Sequence, residues 1–238
     1  MDTVFFDLDG TLLPLDQQEF IETYFRYMGA MVSARNIEPK RLIRSIWVGT
    51  EAMLENDGSM TNEARFWEAF GQDYGAIGEV DIIQEILGEF YEREFDKARI
   101  TAKPNPLADA CVQALKKKGY ALVLATNPLF PRTATHLRMA WAGLELEDFA
   151  LVTTYENSSY CKPHPGYYRE ALQRVGRKPQ ECLMVGNDVQ EDMCVAELGM
   201  DTYLLEDHMI NQGEQDISGI KRGGFGELLE FINSLPEV

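Results

Sequence analysis

Residues 1–11 read MDTVFFDLDGT, and this stretch decides the fold. Val4, Phe5 and Phe6 form a short apolar run of β-favouring residues, and Gly10 ends it. A continuous apolar run is typical of a strand that is buried on both faces, as in a parallel sheet covered by helices. The stretch therefore predicts a buried parallel strand at the start of the chain.

This strand delivers two carboxylates, Asp7 and Asp9, to its carboxyl end, the edge at which open parallel sheets bind ligands. Leu8 lies between them, so the period of two along an extended chain directs both aspartates to the same side. Two acids this close repel each other, and the pKa of one rises unless a cation intervenes. The pair can hold a hard metal ion, or divide into nucleophile and proton donor. Asp-Gly after a strand is also an ordinary turn signal, so the pair alone leaves both interpretations open.

The composition bounds the class of protein. The 238 residues are enough for one large domain or for a core with an insertion, and 45% hydrophobic residues are enough for a globular core. The net charge of −17, from 39 acidic and 22 basic residues, argues against nucleic acid and anionic membranes as partners. An anionic substrate would need local positive charge from a metal ion, a lysine or helix N-termini.

Signals for export, membrane insertion and zinc binding are missing from the sequence. The first residues hold no basic region followed by an apolar run, and no stretch approaches 18 consecutive apolar residues. The four cysteines form no Cys-x-x-Cys pair, which leaves zinc and thioredoxin-like chemistry unsupported. We therefore expect a cytoplasmic protein without a membrane span, with buried and reduced thiols.

Residues 17–98 show a helical pattern, with apolar residues at helical spacing in four segments. These positions are Phe20, Ile21, Tyr24, Phe25 and Met28, then Leu42, Ile43, Ile46 and Trp47, then Phe66, Trp67 and Phe70, and finally Val80, Ile83, Ile86, Leu87, Phe90 and Tyr91. About 80 residues are more than a crossover between neighbouring strands needs. We therefore predict a helical cap over residues 16–99, inserted into a core of residues 1–15 and 100–238.

Later in the chain, β-favouring runs alternate with helical patterns. The predicted strands cover residues 121–125, 149–153, 182–185 and 202–205, and the predicted helices cover 106–118, two segments that start at 131 and 165, and 225–235. In the helix that starts at Pro131, Leu137 and Trp141 are expected to face inward. The alternation predicts an α/β fold, a Rossmann-like and mostly parallel sheet with helices on both faces.

Polar residues follow the second predicted strand and occupy a later loop. Thr126 and Asn127 end that strand, where a hydroxyl and an amide can donate to phosphate oxygens or act as a simple cap. Lys162 stands in a loop stiffened by two prolines. A lysine held in an acidic neighbourhood suits the neutralisation of a carboxylate and a phosphate oxygen. We expect His164 to be structural or to line the rim of the site rather than to be catalytic.

A further acidic group follows the predicted strand of residues 182–185. The step Gly186-Asn187-Asp188 lies at its carboxyl end, and Asp192 lies one helical turn later. Such acids bind a metal ion or cap a helix, and one side chain can do both.

Four segments in this order resemble the motifs of the haloacid dehalogenase superfamily. Residues 7–11 (DLDGT) resemble its first motif, residues 122–127 (LVLATN) its second, Lys162-Pro163 its third, and residues 185–188 (VGND) with Asp192 its fourth. Each motif is short, but the ordered set spans most of the chain and is specific.

The resemblance implies a Mg²⁺-dependent phosphatase that acts on a small phosphorylated metabolite. In that chemistry Asp7 attacks phosphorus and becomes an aspartyl phosphate, while Asp9 protonates the leaving alcohol and then deprotonates water. Mg²⁺ would bridge Asp7, the Asp9 backbone carbonyl and the loop of Asn187 and Asp188. The residues implied in phosphate binding are Gly10, Thr126, Asn127 and Lys162.

Other functions on this fold stay open at this point. Phosphomutases keep both acids, so the motifs admit a phosphomutase or another phosphotransferase, and a fold alone also admits a non-catalytic binding or regulatory protein. Dehalogenases and phosphonatases lack an aspartate at the position of Asp9, which argues against those reactions.

The fourth motif departs from the family pattern at one position. The family usually has an aspartate directly after the glycine, where this chain has Asn187, and Asp188 comes one residue later. Because Mg²⁺ prefers charged oxygens, we predict Asp188 as the metal ligand and Asn187 as a secondary ligand or orienting group. Asp192 is expected to hold Lys162 or the loop from behind.

Overall fold

The computed structural model describes residues 1–75 and 77–238 and contains one six-stranded sheet. The strands are β1 (Thr3–Phe6), β2 (Ala121–Leu124), β3 (Leu151–Val152), β4 (Cys182–Gly186), β5 (Asp201–Leu205) and β6 (Arg222–Gly223). Their order is β3-β2-β1-β4-β5-β6, and every neighbouring pair is parallel. The predicted α/β fold with a parallel sheet is therefore confirmed.

The first strand occupies the centre of the sheet. Its residues pair with β2 on one side and with β4 on the other, so that Phe6 lies opposite Leu124 and Val185. All four residues of β1 are buried, as the apolar run predicted. The polar residues that follow β1, β2 and β4 therefore meet at one edge of the sheet.

Two strands differ from the prediction. The strand expected over residues 149–153 is shortened to Leu151–Val152, and β6 (Arg222–Gly223) was not predicted at all. An Arg-Gly step has little intrinsic β propensity. It is a strand because Leu204 and Leu205 of β5 supply a pairing edge for Arg222 and Gly223.

Helices cover both faces of the sheet. The helices of this part are α5 (Pro106–Lys117), α6 (Arg132–Trp141), α7 (Pro165–Val175) and α8 (Phe225–Ser234). Val4 and Phe6 point into a core shared with α5, α6 and α8, whereas Phe5 points into a second core shared with α7. Alternate residues of one strand thus serve opposite faces, as the pleat requires.

The four helices predicted before β2 are all present. They are α1 (Gln17–Ser33), α2 (Pro39–Leu54), α3 (Asn62–Tyr74) and α4 (Ile77–Arg93). Side-chain caps set two of their starts: Asp16 accepts the N–H of Glu19 at 2.8 Å, and Thr61 accepts the N–H of Ala64 at 3.2 Å. Trp47 lies at the edge of the apolar face of α2 and is 45% exposed.

Two chain segments connect these helices to the sheet. Leu15 pairs with Ala102 in an antiparallel bridge, and the N–H of Lys103 donates to the carbonyl of Pro14 at 2.8 Å. A 3₁₀ helix, Phe95–Thr101, runs across the predicted boundary between residues 99 and 100. The division into a core of residues 1–15 and 100–238 and a cap of residues 16–99 stays a prediction.

Two further expectations concern membranes and thiols. Within the described ranges, no helix combines the length and the apolar character that a bilayer crossing requires. All four cysteines are free, three of them are buried, and Cys194 is half-buried. The prediction of buried thiols therefore holds for three of the four cysteines, and Cys194 departs from it.

Packing between α2 and α3 gives a test of the inserted helices. A Cβ atom on Gly49 would lie 2.6 Å from Cδ2 of Phe66, so Gly49→Ala should lower the free energy of unfolding by about 1–3 kcal/mol. Gly88 on α4 is the matched control, because a Cβ there meets nothing within 4 Å. Gly88→Ala should raise stability by about 0.5–1 kcal/mol through helix propensity. Urea unfolding measures both, and equal stabilisation by both changes would contradict the close α2–α3 contact.

Candidate active site

The loop after β1 is a tight turn that presents Asp7 and Asp9. The N–H of Asp7 still pairs with the carbonyl of Val185 at 2.9 Å, so Asp7 starts from the fixed end of the sheet. Gly10 has φ +84°, and its N–H donates to the carbonyl of Leu13 at 2.9 Å. That N–H is therefore engaged within the turn, and the predicted phosphate contact by Gly10 has no free donor in this structure. The glycine instead sets the turn.

A cavity of about 640 Å³ opens at this edge of the sheet. The predicted site residues in its wall are Asp7, Asp9, Thr126, Asn127, Asn187, Asp188 and Asp192. Lys162 lies behind this wall against Asp7, and Gly10 lies behind it against Asn187. The structure thus brings together every residue that the sequence proposed for the site.

Lys162 forms a buried ionic contact with two of these acids. Its Nζ donates to Oδ1 of Asp7 at 2.8 Å and to Oδ1 of Asp192 at 2.6 Å. Burial lowers the pKa of Lys162, but the carboxylates of Asp192 and Asp7 outweigh burial and raise it well above its ordinary value. Asp192 fits because Gly186 has no side chain; a Cβ there would lie 2.1 Å from Oδ2 of Asp192. The ammonium group is therefore held in its charged form beside Asp7.

Asp9 has a partner that sequence reasoning missed. Arg138 of α6 is 1% exposed, and its Nη1 donates to Oδ2 of Asp9. Burial raises the pKa of Asp9, and Arg138 offsets part of that rise. The other oxygen, Oδ1, is buried and has no hydrogen-bond partner among the described residues. One oxygen of Asp9 is thus held by Arg138, and the other is buried without a partner.

The position of Arg138 shows why it was missed. Of the two residues expected to face inward, Trp141 is buried but Leu137 is only partly so. The buried face instead carries Ala134 and Arg138, which are four residues apart, with Trp141 three residues further on. A cation at helical spacing between buried residues was the available signal. It has meaning only when an acid such as Asp9 lies opposite.

The two polar residues after β2 are used differently. Asn127 is engaged within the protein: its Oδ1 accepts the N–H of Lys162 at 3.2 Å, and its Nδ2 donates to Glu191 at 3.1 Å. The hydroxyl of Thr126 contacts no acceptor in the described part of the chain, while the Thr126 carbonyl accepts from Thr153 at 2.8 Å. Thr126 is therefore the free donor of the pair, and Asn127 positions the loop of Lys162.

In the acidic loop after β4, the two candidate metal ligands, Asn187 and Asp188, have different hydrogen-bond partners. Asn187 is buried; its Oδ1 accepts the hydroxyl of Thr11 at 2.9 Å, and its Nδ2 donates to the carbonyl of His208 at 2.8 Å. Asp188 uses Oδ1 to accept the N–H groups of Gln190 and Glu191 at 2.8 and 2.9 Å. Oδ2 of Asp188 has no donor among the described residues. Asn187 therefore joins loops, and Asp188 keeps one carboxylate oxygen for a ligand.

His164 has the structural role that the sequence suggested. Its Nδ1 accepts the N–H of Gly166 at 3.0 Å and so caps the start of α7. Its ring stacks on Tyr160 with the ring centres 4.7 Å apart. These contacts hold the loop that carries Lys162.

The donors at this edge fit a hard cation. Residues 1–75 and 77–238 contain no cluster of three or more His, Cys, Asp and Glu side chains arranged as a metal site. Two carboxylates, from Asp7 and Asp188, and the backbone carbonyl of Asp9 form a smaller set of oxygen donors. Mg²⁺ is commonly bound by one or two carboxylates together with water and substrate oxygens, so this set suits it.

The charge of the cavity supports the same conclusion. Five carboxylates line it, whereas Arg138 is the one cation among its described lining residues and is already paired with Asp9. These acids are Asp7, Asp9, Asp188, Glu191 and Asp192. Burial raises the pKa of Glu191 to about 7, and Lys162 offsets part of that rise. A divalent cation would neutralise part of this charge.

The fold and the site define an α/β enzyme whose reactive groups lie at the carboxyl end of the central strand of a parallel sheet. Comparison with protein families agrees with this class. The model for haloacid dehalogenase-like hydrolases matches residues 1–197, and the chain belongs to this family of hydrolases.

Individual proteins that resemble the chain share a quarter or less of its residues in the aligned region. Pyrophosphatase PpaX from Bacillus cereus is 25% identical over 191 residues, which cover 79% of this chain and 75% of that protein. The 2-haloacid dehalogenase from Pseudomonas syringae has a TM-score of 0.65 at 19% identity over 97% of both chains. The HAD phosphatase from Thermococcus onnurineus has a TM-score of 0.60 at 20% identity over 100% of both. The HAD-hydrolase YfnB from Bacillus subtilis, solved with magnesium bound, has a TM-score of 0.55 at 18% identity over 97% of this chain and 98% of that one. These structures share the fold.

The contact between Arg138 and Asp9 can be measured by a double-mutant cycle on stability. Arg138→Met and Asp9→Asn should be strongly non-additive, with a coupling free energy of about 1–3 kcal/mol, because each change alone leaves a buried charge without its counter-charge. The exposed pair Arg65–Glu68, 3.1 Å apart, is the matched control. Arg65→Met with Glu68→Gln should couple by less than about 0.5 kcal/mol. Urea unfolding gives both values, and equal coupling in the two pairs would contradict a buried Arg138–Asp9 contact.

Proposed function

We propose that this hydrolase is a Mg²⁺-dependent phosphomonoesterase that acts on a small phosphorylated metabolite through an aspartyl-phosphate intermediate. One observation carries the proposal. Asp7 and Asp9 open into one cavity, and each has one oxygen held by a buried cation and one oxygen without a protein donor in the described chain. This pairing suits a nucleophile beside a separate proton donor.

Asp7 would supply the nucleophile. Lys162 holds its Oδ1 at 2.8 Å, which leaves Oδ2 to attack phosphorus while the bond from phosphorus to the alcohol oxygen breaks. Asp192 holds Lys162 from the other side at 2.6 Å. Asp7, Asp188 and the Asp9 carbonyl would hold Mg²⁺, which when bound supplies positive charge that shields the carboxylate from the anionic phosphate. Lys162 adds a second positive charge beside the Asp7 carboxylate.

Asp9 would supply the proton. A carboxyl group whose pKa is raised by burial is protonated over more of the neutral range, which suits a general acid. Its carboxyl group would protonate the leaving alcohol and then take a proton from the water that hydrolyses the aspartyl phosphate. Arg138 contacts Oδ2 and acts as a positioning residue, because it holds the Asp9 carboxyl group in one orientation.

The phosphate oxygens need neutral and charged donors. Thr126 offers a free hydroxyl at the edge of the cavity, and Lys162, which lies behind Asp7, offers its positive charge. Asn127 contributes through the loop of Lys162, since its own amide is engaged. A hydroxyl beside a lysine orients an anion without trapping it by excess charge.

The sequence left two alternatives to this reaction, a non-catalytic protein and a phosphotransferase. Membership of a hydrolase family sets aside a non-catalytic protein on this fold. The name of the PpaX relative, a pyrophosphatase, supports hydrolysis of a phosphorus–oxygen bond. Release of inorganic phosphate in the absence of any acceptor alcohol separates hydrolysis from phosphoryl transfer.

Asp7→Asn should abolish turnover and keep the fold. The amide oxygen still accepts from Lys162, but an amide is a poor nucleophile, so phosphate release should fall by more than about 10³-fold. Beryllium fluoride, which mimics phosphate on an aspartate, should inhibit the wild type and fail to bind the variant in calorimetry. Asp81→Asn, at an exposed position of α4, is the control and should keep full activity. Residual activity above a trace in Asp7→Asn would remove Asp7 as the nucleophile.

Asp9→Ala should slow hydrolysis by roughly 10²–10⁴-fold, the range for loss of a general acid and base. The loss should be smaller for p-nitrophenyl phosphate than for an alkyl phosphate, because a good leaving group needs less protonation. Steady-state phosphate release with both esters measures the difference. Equal losses would show that Asp9 does not protonate the leaving group.

Asp188→Asn should weaken Mg²⁺ binding far more than Asn187→Ala does. The change Asp188→Asn removes the negative charge of a possible metal ligand. Both polar atoms of Asn187 are already hydrogen-bonded, to Thr11 and to His208. Asn187→Ala should mainly lower the free energy of unfolding, because it leaves the buried hydroxyl of Thr11 unpaired. Calorimetric titration with Mg²⁺ and urea unfolding separate the two effects. The opposite ranking in calorimetry would make Asn187 the ligand.

A further inference from the structure

A second cavity, of about 200 Å³, lies against the catalytic cavity. Its walls come from the helices α1, α2, α3 and α4 and from the loops that follow β2 and β3. Ile21, Leu129 and Phe130 belong to the walls of both cavities, so these side chains form the partition between them. Ile21 is half-buried on α1.

The lining of this second cavity is apolar. Of its fourteen described lining residues, eight are aromatic and none is charged. The hydroxyls of Tyr24 and Tyr91 bond to each other at 2.8 Å, and the hydroxyl of Thr50 donates to the carbonyl of Ile46 at 2.9 Å, whereas Nε1 of Trp67 is buried without a hydrogen-bond partner among the described residues. An occupant therefore meets mostly ring faces and aliphatic groups. A cavity of about 150 Å³ lined in this way binds benzene, so this one has room for about six carbon atoms.

Side-chain contacts join Asp9 to the partition. In the proposed reaction Asp9 protonates the oxygen of the leaving alcohol. Arg138 contacts Asp9, and its guanidinium carbon lies 4.5 Å from the centre of the Phe130 ring. Phe130 is part of the partition. The apolar cavity thus lies two side chains from Asp9.

The same region has no free cation for a second anionic group. Among the described residues that line either cavity, Arg138 is the only cation, and it is paired with Asp9. Lys162 is held by Asp7 and Asp192. A carboxylate or a second phosphate on the alcohol would lose its hydration without a partner, which is costly in an apolar site.

We propose that the second cavity is the subsite for the leaving group, and that the substrate is the phosphomonoester of an alcohol with an uncharged apolar part of about six carbons, aromatic or aliphatic. The proposal rests on the proposed function for the reaction at phosphorus. It adds the class of alcohol, and it disfavours pyrophosphate and esters of hydroxy acids.

A series of n-alkyl phosphates from ethyl to octyl tests the subsite. The basicity of the leaving alkoxide is nearly constant along the series, so reactivity at phosphorus does not change with chain length. We expect kcat/KM to rise by about two- to fourfold for each added methylene up to about six carbons, as burial of CH₂ groups predicts, and then to level off. 2-Phosphoglycolate has two carbons, like ethyl phosphate, but a carboxylate in place of the methyl group. Its kcat/KM should be no higher than that of ethyl phosphate.

Variants that fill the cavity localise the effect. Ile21→Trp blocks the partition and Thr50→Phe fills the opposite wall, so each should lower the ratio of kcat/KM for hexyl to that for ethyl phosphate toward one. The ratio is internal to each variant, so a partly folded preparation does not distort it. Ile82→Trp, at a position 57% exposed on α4, is the matched control and should keep the wild-type ratio.

Binding of n-alkyl phosphonates, which lack the cleavable ester oxygen, makes the test independent of turnover. With Mg²⁺ present, hexylphosphonate should bind more tightly than ethylphosphonate in calorimetry, and Ile21→Trp should remove the difference. Equal binding of the two phosphonates, equal kcat/KM along the phosphate series, or preference for 2-phosphoglycolate would overturn the subsite. Failure of every ester to release phosphate, together with tight hexylphosphonate binding, would overturn the proposed function and keep the subsite.

Discussion

The structure depends on one buried contact, the ammonium group of Lys162 between the carboxylates of Asp7 and Asp192. These three residues come from the end of β1, from a loop stiffened by prolines and from the segment after β4. Each would be costly to bury alone, because an unpaired charge loses its hydration. Together they fix three separate parts of the chain at one point. The same contact leaves one oxygen of Asp7 directed at the cavity, so the requirement of folding and the requirement of chemistry coincide.

Close packing around two glycines makes this contact possible. Gly186 admits the side chain of Asp192, and Gly10 admits that of Asn187, which a Cβ would meet at 2.4 Å. Asn187 then joins the loop of Thr11 to the carbonyl of His208. The loops that carry the acids are therefore locked to each other by short polar contacts. Such a network costs least when each member has a partner, and these side chains meet that condition.

The inserted helices contribute to the site in a different way. They supply much of the apolar wall beside Phe130, and they are tied to the sheet by hydrogen bonds at the start of α3. There the N–H of Asn62 donates to Ser158 at 2.8 Å and that of Glu63 donates to Tyr155 at 2.9 Å. The acids and the lysine belong to the sheet, whereas the space for the rest of a substrate is formed between the sheet and these helices. In the proposed reaction, the reacting side chains and the walls around the rest of the substrate would thus come from separate parts of the chain.

The sequence by itself determined the central strand, the order of the later strands and helices, and the set of polar residues that meet at one edge of the sheet. These features follow from local periodicity and from the rule that parallel strands end at a common edge. The tertiary structure alone decided how each polar atom is used. It placed Arg138 on the buried face of α6 against Asp9. It also engaged the amides of Asn127 and Asn187, and it left one oxygen each of Asp9 and Asp188 without a donor among the described residues. It also turned Arg222–Gly223 into a strand. These contacts join groups that are far apart in the chain and that could bond to several partners. A local sequence pattern does not show which partner each group meets.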